Sequence, residues 1–135
     1  MMHLETAPEF VHVAFTERMP YGYDVSRQRF GVMGEYGNNI ILYDTESFLV
    51  QHQIMVFSIV KFFKFANNNN DLLVVTKDCK IKFYSLMKYE GIFLRELTNC
   101  HRGFISGMDV SLNSGYLLTG GQDNMVKIWD YEAQF

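Results

Sequence analysis

Apolar residues along this chain recur in short, alternating runs separated by clusters of Gly, Asn and Asp. A period of two with turn residues between the runs is the pattern of half-buried strands joined by tight hairpins. It predicts strands near Phe10 to Phe15, Arg29 to Gly34, Ile40 to Asp44, Phe48 to Ile54, Phe57 to Phe65, Leu72 to Thr76, Lys80 to Ser85, Ile92 to Leu97, Phe104 to Val110, Tyr116 to Gly120 and Met125 to Asp130. No segment calls for a helix. The Gly-Asn-Asn, Lys-Asp-Cys-Lys and Gln-Asp-Asn segments fall between paired strands, where Asn, Asp and Gly tolerate the positive backbone angles of a tight turn.

The strands repeat as groups. A shift of about 45 residues sets Ile105, Met108, Val110, Leu117, Leu118, Asp123, Val126, Lys127 and Trp129 on Val60, Phe63, Phe65, Leu72, Leu73, Asp78, Ile81, Lys82 and Tyr84. Apolar falls on apolar and turn Asp on turn Asp. A shift of about 86 sets Gly120, Asn124, Val126, Ile128, Trp129 and Asp130 on Gly34, Asn38, Ile40, Leu42, Tyr43 and Asp44, a more degenerate copy. Periodicity of this length marks stacked-repeat or propeller architectures.

The last copy, HRGFISGMDVSLNSGYLLTGGQDNMVKIWD from His101 to Asp130, combines several independently placed features. It has an entry His, an apolar strand, a Leu-Leu-Thr-Gly-Gly strand, an Asp-bearing turn and a closing Val-Lys-Ile-Trp-Asp. This stretch resembles a WD repeat, and the resemblance is clear from Arg29 to Asp130. It implies an all-β fold, a β-propeller of WD-repeat type with about three four-stranded blades over residues 10–54, 57–97 and 104–135. Closed propellers typically hold about 4–8 blades, so residues 1–135 are expected to form a partial propeller that completes its ring with another chain or with the rest of a longer protein, ahead of a self-contained three-blade arc, whose unprotected edges invite aggregation. Its terminal blades would present apolar faces lined on the third blade by Val126 and Ile128, or by Trp129 and its neighbours. Expressed alone, such a chain is expected to be insoluble or oligomeric.

Two connections stand out. Thr16 to Gln28 is a long loop carrying Arg18-Met19-Pro20-Tyr21-Gly22-Tyr23, either a partner contact or a surface loop packing its own tyrosines. The run Asn67 to Asn70 reads as decoration of a tolerant turn.

Composition narrows the function classes. With 48% hydrophobic residues and two Pro among 135, the chain is globular and too apolar for disorder. No apolar run approaches the ~18 residues of a membrane span. The start, MMHLETAPEF, lacks the basic and apolar regions of a signal peptide. Two cysteines, Cys79 and Cys100, provide no disulfide framework and fit a reducing compartment. A net charge of −3 argues against nucleic acid. Lys61, Lys64, Lys77, Lys80, Lys82 and Lys88 nonetheless make the second repeat locally basic, read either as solvated strand edges or as a docking patch for an acidic partner. The four histidines and two cysteines have no zinc-site spacing, and no phosphate loop, nucleophile elbow or carboxylate pair stands out. No catalytic residue, cofactor or metal is expected.

The resemblance assigns His101, Thr119, Asp123 and Trp129 to a buried hydrogen-bonded chain that locks the blade, so His101 reads as a core histidine rather than a general base. The second copy carries Val56, Val74, Asp78 and Tyr84 at these places, and the first carries Met33, Gly37 and Tyr43 at three of them. These two blades are then expected to rely on apolar packing, with Asp78 a turn-former. The family's partner-contacting face implies Tyr36, Asn38, Lys77, Cys79, Arg102, Gln122 and Asn124 as candidate contact residues. The function read from the chain is a non-catalytic protein–protein scaffold in a multi-subunit, cytoplasmic assembly, without nucleic acid or membrane. The alternatives are a building block of a cytoskeletal or axonemal (ciliary) complex and a regulatory subunit of an enzyme complex.

Overall fold

A computed structural model describes residues 13–15, 29–33, 38–111 and 115–131. Among them lie eleven strands, β1 (Val13–Phe15), β2 (Arg29–Met33), β3 (Asn39–Asp44), β4 (Val50–Met55), β5 (Val60–Ala66), β6 (Asp71–Thr76), β7 (Ile81–Ser85), β8 (Ile92–Leu97), β9 (Ile105–Val110), β10 (Tyr116–Gly121) and β11 (Val126–Asp130). They form three antiparallel meanders, β1-β2-β3-β4, β5-β6-β7-β8 and β9-β10-β11. The described residues are all-β, as the alternation implied. The fifth predicted strand starts three residues late, because Phe57 adopts φ +61° and stands 82% exposed in the connection. The tyrosine-bearing segment from Thr16 to Gln28, expected from the sequence to be a loop, lies outside the described residues.

The 45-residue shift is a structural register. Leu72 pairs with Phe65 as Leu117 pairs with Val110, and Leu73 pairs with Phe83 as Leu118 pairs with Ile128. The first copy needs a correction. There Gly31 opposes Leu42 and Val32 opposes Ile41, whereas Leu118 opposes Ile128. The connection from β2 to β3 is therefore one residue longer than that from β10 to β11. This makes Val32, and not Met33, the equivalent of Thr119.

The second sheet is sandwiched between the other two. All six residues of β6 are buried, alternating between two cores. Leu72 and Val74 join Ile40, Leu42, Ile54, Val56, Phe63, Phe65 and Tyr84 toward the first sheet. Leu73 and Val75 join Ile81, Phe83, Leu97, Cys100, Ile105, Met108, Leu117 and Tyr131 toward the third. Full burial of each such side chain contributes roughly 1.5–3 kcal/mol. Close approach requires glycine at Gly31, where a Cβ would lie 2.7 Å from the Phe63 ring.

The asparagine run is not decoration. Asn67, Asn68 and Asn69 take φ of 52°, 53° and 64°, a left-handed succession between β5 and β6 that Asn tolerates better than other side-chain-bearing residues. Asn69 is buried and its carbonyl accepts from Arg29 Nη1 at 3.4 Å, while Asn67 Nδ2 donates to Asp71 Oδ2 at 3.3 Å. The turn thus ties the first sheet to the second.

Candidate functional site

In the second and third sheets, the turn between the second and third strands lies at the same strand ends as the connection that enters the sheet. Backbone bonds join them, Lys77 N to Ile59 O at 2.9 Å and Gln122 N to Phe104 O at 3.0 Å. Asn38, entering β3, accepts on its carbonyl from Val56 N at 3.0 Å. One face of the molecule therefore gathers Asn38, Lys77, Cys79, Arg102, Gln122 and Asn124. Tyr36 lies outside the described residues. Cys79 and Asn124 hold their turns at φ 67° and 62°.

Beneath this face in the third sheet, His101, Thr119, Asp123 and Trp129 form one chain of hydrogen bonds. Trp129 Nε1 donates to Thr119 Oγ1 at 3.0 Å, Thr119 Oγ1 lies 2.7 Å from His101 Nε2, and His101 Nδ1 lies 3.0 Å from Asp123 Oδ1. A carboxylate only accepts, so His101 carries its proton on Nδ1. Nε2 then accepts the Thr119 hydroxyl proton, and that oxygen accepts from the indole. A neutral imidazole satisfies every atom of the chain. His101 reaches this place because Gly121 lies under its ring; a Cβ there would meet His101 Cγ at 2.5 Å. Asp123 also accepts from the backbone N–H groups of Arg102 and Met125, both at 3.1 Å. Desolvation pulls its pKa upward, but the His101 bond and these two donors outweigh it and hold the carboxyl at about 2.

The second sheet fills the equivalent positions with two valines and a tyrosine in place of the hydrogen-bonded chain. Val56, Val74 and Tyr84 all belong to the core shared with the first sheet. Burial, with Glu96 nearby, pushes the Tyr84 phenol up to about 12. Asp78 turns away from that core, takes a short hydrogen bond from the Thr76 hydroxyl and lies 3.8 Å from Lys80. The Thr76 bond holds its carboxyl below the usual range. The two aspartates that the sequence shift aligns therefore do different work, one inside a network and one closing a hairpin.

Sequence reasoning missed a cationic device. Lys82 Nζ donates to Val56 O at 2.8 Å, Lys127 Nζ to Cys100 O at 2.6 Å and Lys61 Nζ to Ile105 O at 2.8 Å. Three lysines of the basic segment and its copy thus secure the connections between sheets. The available signal was the recurrence of Lys at the same place in β7 and β11. Of the remaining histidines, His52 is buried in β4 with Nδ1 2.8 Å from the Lys88 carbonyl, and burial holds its pKa below the ordinary value.

Open grooves mark the surface of the described residues. One, of about 810 Å³, lies on the turn face where second and third sheets meet, lined by Cys79, Asn99, His101, Arg102, Met125 and Lys127 among others. Another, of about 500 Å³, lies on the rim beside β4 and β8, with Met55, Phe57, Tyr89 and Phe93 exposed along it. The outward face of the third sheet carries Tyr116, Leu118, Val126 and Ile128, all exposed, whereas Trp129 turns inward against the second sheet.

Comparison with known proteins places this architecture. A family model described as "WD domain, G-beta repeat" matches residues 91–130. Over 54 residues the chain is 41% identical to the mouse protein named Cilia- and flagella-associated protein 52 and 39% identical to the human one, matches that cover 40% of this chain. The chain spans only 8% of those relatives' length. A chain of a mitotic checkpoint complex superposes with a TM-score of 0.70 at 14% identity, covering 91% of this chain and 38% of its own. Hsv2 of Kluyvelomyces marxianus superposes with a TM-score of 0.63 at 12% identity, covering 79% and 34%. Three stacked antiparallel meanders and the superpositions give a β-propeller fold of WD-repeat type, and the family model places a WD repeat at residues 91–130.

Proposed function

We propose that the chain is a non-catalytic protein-interaction scaffold, an arc of three blades over about residues 10–54, 57–97 and 104–135, to which further blades of the same kind add on the third sheet. The observation that carries this reading is a comparison of equivalent side chains. Ile40 and Leu42 in the first sheet, and Ile81 and Phe83 in the second, are 0% exposed because the next sheet covers them. Their counterparts in the third, Val126 and Ile128, are 71% and 72% exposed. An apolar surface of this register is shaped for another sheet, and left bare it is an association hazard. The four-residue hydrogen-bonded chain serves, in this reading, to lock the blade, and the turn face with Asn38, Lys77, Cys79, Arg102, Gln122 and Asn124 serves as contact surface.

The test is the behaviour of the chain alone. It is expected to self-associate and to bind a hydrophobic dye, and Val126→Lys with Ile128→Lys should abolish both while leaving the fluorescence of the inward Trp129 unchanged. A monomer of the parent chain with a sharp cooperative melt and no dye binding would overturn the reading.

A cytoskeletal or ciliary setting is supported by the names of the relatives. The rim groove favours the second reading, a fixed building block, since exposed Phe57, Tyr89 and Phe93 on a rim suit contacts around the outside of a ring.

A further inference from the structure

The groove between the second and third sheets is basic, although the chain is net acidic. Its cations are Arg102, exposed at the mouth, and Lys127, whose ammonium is fixed on the Cys100 carbonyl; the Lys77 side of the neighbouring turn adjoins it. Its single carboxylate, Asp123, is saturated from within. One oxygen accepts from His101 Nδ1 and Met125 N, and the other from His101 Nδ1 and Arg102 N. Asp78 on the neighbouring turn is likewise engaged, by the Thr76 hydroxyl and Lys80. Asp123 is therefore matched from within, while Asp78, its side chain 48% exposed, lies outside the groove lining and beside Lys80, so the charges that the lining leaves to solvent are positive. Met125, 51% exposed, gives it an apolar wall.

We propose that this groove docks an acidic, extended segment of a protein partner, whose carboxylates meet Arg102 and the Lys77 turn while an aliphatic side chain rests on Met125. The inference rests on the scaffold reading and names the chemistry of one partner. Charge complementarity of this kind governs association rate and selectivity more than raw affinity, so binding should weaken steeply with salt. A groove of about 810 Å³ holds a few residues of extended chain.

The probe is a fluorescein-labelled eight-residue peptide rich in Glu with one central Leu, titrated by anisotropy against the chain. Its Glu→Gln counterpart and a single-stranded oligonucleotide of equal charge serve as comparisons. The acidic peptide should bind at least tenfold more tightly than the Gln peptide and the oligonucleotide. Arg102→Glu with Lys77→Glu should remove that preference, and the milder Arg102→Gln with Lys77→Gln should reduce it, at an unchanged melting profile. Equal binding of acidic and Gln peptides, equal binding of the oligonucleotide, or full binding by the charge-reversed chain would each overturn the proposal. The scaffold reading fails separately, through the dye and association measurements, which Arg102 and Lys77 substitutions leave untouched.

Discussion

Thr119→Val isolates the hydrogen-bonded chain from everything around it. Thr119 is fully buried, and valine has nearly its shape, so no cavity opens and no atom is crowded. What is lost is Oγ1, the atom that connects His101 Nε2 at 2.7 Å with Trp129 Nε1 at 3.0 Å. A buried polar group left without a partner costs about 1–3 kcal/mol. His101 is buried and would bear that cost in full, while half-buried Trp129 would recover part of its own from water. The expected loss is about 2–4 kcal/mol. Thr119→Ser keeps the hydroxyl and gives up one methyl, about 1 kcal/mol. Urea titration read by the fluorescence of Trp129, the chain's one tryptophan, reports this blade directly. The serine variant should then unfold between the parent and the valine variant. A valine variant within ~0.5 kcal/mol of the parent at equal slope would refute the claim that the network carries stability.

Gly121→Ala should lower the unfolding midpoint by about 1–3 kcal/mol, because the new methyl displaces the His101 ring. Gly107→Ala, which meets open space, should do much less, and equal effects in urea melts would remove the close-approach argument. Asp123, held at about 2 when folded against about 3.9 unfolded, stabilises the third blade fully above pH ~4, and that contribution is lost as the pH falls toward 2. Melting temperature followed from pH 5 to 2 should therefore drop less steeply in Asp123→Asn than in the parent, and parallel curves would contradict the assignment. Asp123→Ala should lower the melting temperature more than Asp78→Ala, since Asp78 closes an exposed hairpin; equal losses would erase the distinction between the two blades.

Much of the fold was legible because the alternation of apolar and polar residues is the direct imprint of two-faced sheets. β8, Ile92–Leu97, matches its predicted span, and most of the other strands differ by a residue or so. Spacing failed where it carries no chemistry. The extra residue between β2 and β3 moved Val32 into the place assigned to Met33, and a shift of fixed length cannot register an insertion inside a hairpin. Phe57 and Ile59 extended an apolar run past the start of β5, although they stand in a connection with their side chains exposed. Among the site residues, His101, Thr119, Asp123 and Trp129 came together because a polar set of matched donors and acceptors is rare by accident. The lysine anchors were hidden by the opposite circumstance, since their partners are backbone carbonyls that leave no trace in side-chain identity.

The doubly covered strand β6 has a consequence for how the chain is made. Leu72 to Val75 is a run of four aliphatic residues of high β-propensity, flanked by Asp71 and by Lys77 and Asp78 as charged gatekeepers. In the finished molecule its two sides belong to different cores, and the side carrying Leu73 and Val75 is closed only by residues reaching to Tyr131. A ribosome adding roughly 5–20 residues per second needs several seconds to supply the remaining stretch. For that interval the nascent chain exposes a sticky segment already paired on its edges but bare on one side. A holding chaperone during synthesis, or a gatekeeper exchange at the exposed Lys77 such as Lys77→Gln, would act on yield and not on the stability of what folds.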